Sequence, residues 1–222
     1  MTTLLQIDAS IRGSESNVPE YNSISRSISA TFMKEWQQHK PNDTVICRDV
    51  GKHPPDHITQ DWIAAVFTAP ESRSETQNSL LAQSDNLIAE LEQADIIILS
   101  TPMYNYGMPA GLKAWFDQVI RINKTFSFDL KRGDYPLEPI LSGKKLIAIT
   151  SSGEFGFGPG GIRESWNHLM PHIRTLKGYL GVDELFEVAA EYQEFNDKRH
   201  KTSVQDAHAQ ARDLAAKLAL LN

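Results

Sequence analysis

The sequence has one cysteine, no long basic run and no stretch approaching the ~20 apolar residues of a membrane-spanning helix. Each absence removes a class of protein. Cys47 alone cannot form an internal disulfide, so a stapled secreted scaffold is excluded and a reducing cytoplasm is the expected setting. Within DTVICRDV it reads as a small buried hydrophobe rather than a nucleophile. The opening MTTLLQIDAS has neither a basic n-region nor a long apolar core, so no signal peptide is expected. Net charge is −6, from 22 basic and 28 acidic residues. The electrostatic footprint of a nucleic-acid binder is missing, and neither nucleic acid nor membrane is an expected partner. There is no G-x-x-x-x-G-K-[ST] P-loop, and no G-x-G-x-x-G follows the first strand-like run.

What is present is one alternating pattern. The 222 residues, 41% of them hydrophobic, suffice for one sizeable core, and with no repeat, low-complexity tract or linker a single domain over 1–222 is expected. TLLQIDAS, TVICRDV, DIIILST, KKLIAITSS and LFEVAAE read as strands. Between them, Ile24, Ile28, Phe32 and Trp36 repeat every four residues, and Leu80, Ser84, Leu87 and Leu91 recur at intervals of four, three and four, which marks helices. PAGLKAWFDQVIRI suits a helix with Pro109 in its first turn. IRESWNHLMPHIRTLKGYLG reads as helical, kinked or divided at Pro171 and stopped at Gly181. The last helix carries Val204, Ala207, Ala211, Leu214, Leu218 and Leu221 on one stripe. Five strands alternating with helices predict a doubly wound α/β sheet. Residues 50–75 and 125–143 read as irregular, the second as a hairpin or lid.

Ligands of such sheets bind beyond the carboxyl ends of the strands. Three loops there are chemically distinctive. DASIRGSESNVPEYNSISRSIS is rich in serine, and hydroxyls beside the unpaired amides of a helix start form an anion site. Arg12 and Arg26 could add positive charge, while plain N-capping by Ser23 is the bland alternative. TPMYNYGMP places two tyrosines and a bendable Gly107 where the third strand ends. TSSGEFGFGPGG follows the fourth, and its glycines would let backbone approach a flat ligand closely. A phosphate-type site, an aromatic loop and a glycine-rich loop on one edge suggest a planar phosphorylated ligand, and flavin mononucleotide fits. His53, His57, His168 and His172 read as surface or structural, and no metal site is expected.

PMYNYGMPAGLKAWFDQV followed by KTFSF, together with SGKKLIAITSSGE, resembles the FMN-dependent NADH:quinone oxidoreductases of the azoreductase type over nearly the whole chain. The resemblance implies a flavodoxin-like fold with strand order 2-1-3-4-5. It implies FMN as cofactor and NADH or NADPH as donor, with two-electron ping-pong reduction of quinones or azo compounds. Flavin N5 would carry the hydride, so no catalytic side chain is expected. Carried over by position, Ser10, Ser23, Ile24 and Ser25 are expected at the phosphate, with SES at 14–16 the competing match. Met103, Tyr104, Asn105 and Tyr106 are expected along the ring. Ser151, Ser152, Gly153 and Glu154 are expected at its polar edge, and Phe128, Tyr106 and Phe155 in the substrate pocket. SESNVPEYN is then largely an insertion, and Glu154 departs from the family's usual glycine-rich pattern. The serine-rich turn is expected to enclose the phosphate and so favour FMN over FAD. A homodimer is expected, with Trp62, Ile63, Val66 and Phe67 as an apolar patch and one of Trp115 and Phe116 facing outward. A flavodoxin-type electron-transfer module serving a protein partner is the rival reading.

Overall fold

The computed structural model describes residues 1–221; residue 222, the last of the expected single unit, lies outside the described residues. The elements run β1 (Thr3–Asp8), α1 (Ile24–His39), β2 (Thr44–Asp49), α2 (Gln60–Phe67), α3 (Glu75–Gln93), β3 (Ile96–Pro102) and α4 (Ala110–Val119), then β4 (Phe126–Phe128), β5 (Leu137–Pro139), β6 (Lys144–Ser151), α5 (Met170–Leu176), β7 (Val182–Ala190) and α6 (Lys198–Leu221). Five strands form one sheet in the order β2-β1-β3-β6-β7, every pair parallel. This is the expected 2-1-3-4-5 order, with the short antiparallel β4–β5 hairpin interposed in the 125–143 segment.

Alternation along the strands sends side chains to two cores. Leu5, Ile7, Ile97, Leu99 and Leu146 meet α3, α4 and α5 on one face. Leu4, Ile96, Ile98, Ile147 and Ile149 meet α1 and α6 on the other. Every residue of β3 is buried, which is why its sequence is continuously apolar rather than alternating. Each such Ile or Leu contributes roughly 1.5–3 kcal/mol of burial.

The helices begin where capping chemistry places them. Ser23 caps α1 by accepting from the Arg26 amide, and Ser74 with Gln77 forms a capping box that starts α3 ahead of the expected stripe. The stretch over 162–181 is divided, as the second of the two outcomes expected at Pro171: it reduces to α5, with Pro171 in its first turn, flanked by 3-10 turns. Several expectations are corrected. Pro109 is the N-cap of α4, one position earlier than expected. Leu80 and Leu221 lie exposed, off the buried stripes. Trp115 and Phe116 are both buried and pack edge to face at 5.2 Å, because α4 is covered by the sheet and by α3; neither faces outward. Cys47 is exposed on the edge strand β2. Partial desolvation of its thiol and the charge of Asp8 raise its pKa, which keeps it in the unreactive protonated form.

Strand order reverses direction between β1 and β3, which places a crevice between the loops that follow them. Those loops are tied together at their roots. The Ala9 amide donates to the Ser100 carbonyl at 2.8 Å, and Ser100 Oγ donates to Asp8 Oδ1 at 2.5 Å. A Cβ on Gly51 would lie 2.1 Å from the Ser10 carbonyl oxygen, so the chain after β2 presses directly against the first of them.

Candidate cofactor site

The crevice holds a cavity lined by residues from three connections: Ser10, Arg12 and Asn22 to Ile24 between β1 and the start of α1, Pro102 to Tyr104 at the end of β3, and Ser151 and Gly153 at the end of β6. Gln193 and Glu194 enter from the loop after β7. These last two were missed by sequence reasoning, although they follow the fifth strand and so obey the same carboxyl-end rule that singled out the other loops.

The end of the cavity at α1 is built for an anion. Among the described residues the amides of Ile24 and Ser25 have no protein acceptor, as the first turn of any helix requires. Ser10 and Ser23 are buried beside them. Ser10 Oγ accepts from the Arg12 amide at 3.2 Å, which leaves its proton free to donate. Ser25 is fully buried, and its Oγ pairs with Ser23 Oγ at 3.3 Å, so it offers the cavity its main chain rather than its hydroxyl. Ser14 and Ser16 are exposed and turned into the insertion: the Ser16 amide donates to Asn22 Oδ1 at 2.8 Å. They do not line the cavity.

Arg26 is not available to a ligand. Its guanidinium binds Asp49 with two contacts of 2.8 and 2.6 Å, donates to the Ser10 carbonyl at 2.6 Å and lies 3.4 Å from Asp8. This corrects its expected role: it positions Ser10 from below instead of binding from within. Burial raises the Asp8 pKa, against the pull of the Ser100 hydrogen bond and of Arg26. Burial works in the same direction on Asp49, but the hydrogen bonds from Arg26 and the Lys52 amide outweigh it and hold that carboxyl below its usual range. Arg12 has no ion pair among the described residues and is the cation of the cavity.

The aromatic loop is a tight turn. Tyr104 and Gly107 exchange two 3.0 Å backbone hydrogen bonds, and Asn105 and Tyr106 between them have φ of 48° and 66°. Positive φ at both central residues is the pattern of a type I′ turn. The bend therefore lies in Asn105 and Tyr106, not in Gly107. Positive φ is uncommon for a tyrosine and concentrates at functional sites. The Met103 amide donates to the Ser151 carbonyl at 2.8 Å, joining this loop to the one after β6. The amides of Asn105, Tyr106, Gly153 and Glu154 have no protein acceptor among the described residues. Ser152 does not add to them, because its amide is bound to Ala190 and its Oγ to the Glu154 carbonyl.

Glu154 does not line the cavity. Its carboxylate pairs with Arg163 at 2.9 Å and accepts from the Tyr106 hydroxyl at 3.0 Å, a hydrogen bond that raises the Tyr106 pKa. Tyr106 also meets Trp166 edge-on. The two loops are thus latched at the rim. Phe155 is placed apart from the cavity, stacked on Tyr192 at 4.5 Å with the Arg163 guanidinium 4.8 Å from its ring centroid. Phe128 is exposed on β4 and does not reach the cavity within this chain. The glycine-rich stretch is closed on itself: Glu191 takes the amides of Gly156 and Phe157, and Glu164 takes that of Gly160. Among the described residues no three metal-ligating side chains come together.

This geometry has the free amides and hydroxyls expected of a nucleotide-type site, at the switch point of a doubly wound sheet. A profile of the family described as Flavodoxin-like fold matches residues 2–215. The FMN-dependent NADH:quinone oxidoreductase 2 of Colwellia psychrerythraea is 61% identical over 218 residues, 98% of this chain and all of that protein. Its namesake in Idiomarina loihiensis is 59% identical over 220 residues, 99% of this chain and 92% of that one. In fold, the chain superposes on the FMN-dependent NADH-azoreductase of Bacillus anthracis solved in complex with FMN, with a TM-score of 0.84, 16% identity, and coverage of 99% of this chain and all of that one. The chain belongs to the family of flavodoxin-like FMN-dependent NADH:quinone oxidoreductases.

Proposed function

We propose that the protein is an FMN-dependent oxidoreductase that takes two electrons from NADH or NADPH and passes them to quinones or azo compounds. The observation that carries this reading is the donor set. Two helix amides without a protein acceptor, two buried serines and an arginine without an ion pair among the described residues meet at one end of a cavity, and Tyr104 and Gly153 line it from the loops after β3 and β6. That set fits a planar ring bearing a phosphate. Ile24, Ser25, Ser10, Ser23 and Arg12 would hold the phosphate. The loop of Met103, Tyr104, Asn105 and Tyr106 would flank the ring, and the amides of Gly153 and Glu154 would donate to its polar edge. Bound FMN supplies the hydride chemistry. The chain's part is to hold the ring rigidly through the Tyr104–Gly107 turn and the Tyr106–Glu154–Arg163 latch, and to aim fixed amide dipoles at the site of developing negative charge. The nicotinamide donor sets the proposed location in the cytoplasm.

Purified protein is expected to show flavin absorbance after FMN reconstitution and to oxidise NADH with a small quinone and no protein partner. Turnover only with a protein acceptor would favour the flavodoxin-type module; no flavin binding would remove both readings.

The proposed working unit is a homodimer. One chain encloses about 130 Å³ of the cavity, less than the ~300 Å³ at which cofactor pockets begin, so a second wall is needed. α2 offers Ile63 and Phe67, 44% and 73% exposed, while its Trp62 is buried beneath. The hairpin presents Phe128, Leu130 and Tyr135 to solvent. A two-fold contact through such patches is self-complementary and would bring one chain's 50–75 segment to the other's substrate side. Dilution is expected to abolish turnover before FMN is released. A monomer by light scattering at micromolar concentration with full activity overturns the dimer.

A further inference from the structure

The loop after β7 brings a second charge to the cofactor cavity. Gln193 and Glu194 line it, and the backbone is bent sharply to put them there. Gln193–Phe195 is a single 3-10 turn, and the residues on either side of it, Tyr192 and Asn196, have φ of 69° and 46°. Neither is glycine, and such conformations persist only where the surroundings hold them. Here the amides of Tyr192, Gln193 and Glu194 donate to the carbonyls of Glu154, Ser152 and Gly153, at 3.2, 3.2 and 3.0 Å. Behind the turn the Phe195 ring packs edge-on against Phe155 and Tyr192, with the Arg199 guanidinium 4.7 Å from its centroid. The turn is thus clamped to the loop after β6.

That clamp fixes Glu194. A Cβ on Gly153 would lie 2.6 Å from Glu194 Cγ and 3.2 Å from Glu194 Oε1, so the acidic side chain lies across the glycine. Its carboxylate has no hydrogen bond or ion pair among the described residues, and the fold makes no use of it. Arg12, the cation of the cavity, stands after β1, and the strand order sets β1 and β7 three spacings apart, roughly 14 Å. Opposite charges on opposite walls suit a ligand that is anionic at one end and carries hydrogen-bond donors further along. A carboxylate only accepts hydrogen bonds, and it repels a phosphate, so Glu194 does not serve the phosphate end. FMN has donors in its ribityl hydroxyls and in one ring N–H. Asn105, Tyr106 and Glu154, whose free amides suit the polar edge of the ring, do not line this cavity, whereas Glu194 does. It faces the stretch between the phosphate and the ring.

We propose that Glu194 accepts hydrogen bonds from the ribityl hydroxyls of FMN and, opposite Arg12, fixes which way round the cofactor lies. This rests on the flavin reading above and deepens it, by giving the loop after β7 a part in holding the cofactor. Such hydrogen bonds are charge-assisted, about twice as strong as neutral ones.

The test is a fluorescence titration of the apoprotein, wild type and Glu194→Met, each with FMN and with a phosphopentyl analogue that keeps ring and phosphate on a plain alkyl chain. Methionine keeps the length that packs on Gly153 and removes both acceptor oxygens, and circular dichroism confirms the fold. Glu194→Met is expected to weaken FMN by about tenfold or more and to leave the analogue within about threefold. Glu194→Gln, which keeps one acceptor oxygen, is expected to fall between the wild type and Glu194→Met for FMN and to leave the analogue unchanged. An equal loss for both ligands in Glu194→Met shows that the residue serves the loop or the ring, and overturns the proposal. Tighter binding of both, the mark of a charge that merely repels phosphate, overturns it too, as does no change for either. All three leave the FMN reading standing. Binding of neither ligand by the wild type overturns the function proposed above as well.

Discussion

Ser23→Asp is expected to weaken FMN binding on the order of a hundredfold or more, roughly 3 kcal/mol, with no loss of fold stability. The two effects separate the two jobs Ser23 could have. As an N-cap its Oγ accepts from the Arg26 amide at 3.3 Å, and aspartate caps a helix as well as serine does. As a phosphate ligand its hydroxyl can donate, whereas a carboxylate only accepts and carries like charge. The carboxylate would stand among buried groups next to Ser10 and the free amides of Ile24 and Ser25, where repulsion is poorly screened. Ser16→Asp is the control: Ser16 is exposed and its Oγ serves the Val18 amide within the insertion, so FMN affinity should change little. A flavin titration in which Ser23→Asp binds normally would reduce Ser23 to a cap. One in which Ser16→Asp is the more damaging would move the phosphate to the 14–16 stretch.

Arg26→Met should cost about 3–5 kcal/mol of stability near neutral pH, the cost of removing one partner from a buried ionic cluster. It leaves Asp8 and Asp49 facing each other without the guanidinium that joins β1, α1 and β2. The pH dependence has a definite sign. In the wild type Asp49 has a lowered pKa, so its contribution is present above the unfolded value and is lost as pH falls through the folded one. Asp8 has a raised pKa, so its contribution is present below the unfolded value and is lost as pH rises through the folded one. Without Arg26 both carboxyls shift upward, and protonating them relieves the burial of charge. The deficit of Arg26→Met should therefore be smaller at about pH 4, near the unfolded carboxylate pKa, than at about pH 7. Urea denaturation at the two pH values measures it, and an equal deficit at both would show that packing, not charge, is what Arg26 provides. Because Arg26 also holds the Ser10 carbonyl, the variant should lose FMN affinity too.

What was legible in the sequence is what local periodicity and capping encode. The unbroken apolar run of Ile96 to Leu99 could only be a strand covered on both faces, and it is the middle of the sheet. The four-residue spacing of Ile28, Phe32 and Trp36 gave α1, and Ser23 its start. Strands alternating with helices gave the parallel sheet, and the sheet put the serine-rich, aromatic and glycine-rich loops on one edge. Ser10, Ser23 and Ile24 do line the cavity with Met103, Tyr104, Ser151 and Gly153.

The tertiary structure decided which polar groups remain free, because that depends on partners distant along the chain. Arg26 looked like a ligand cation until Asp49, 23 residues away, took its guanidinium. The glycine-rich loop looked like an open cradle until Glu191, 35 residues from Gly156, took its amide. Gln193 and Glu194 reach the cavity only because β7 pairs with β6 and ends at the same edge. Cys47 lies exposed because its strand is an edge strand, a fact of strand order that no local pattern records. Periodicity fixes which way a side chain points from its own element, but whether a charge or an amide is spent inside the fold or left for a ligand is settled only when separate elements are brought together.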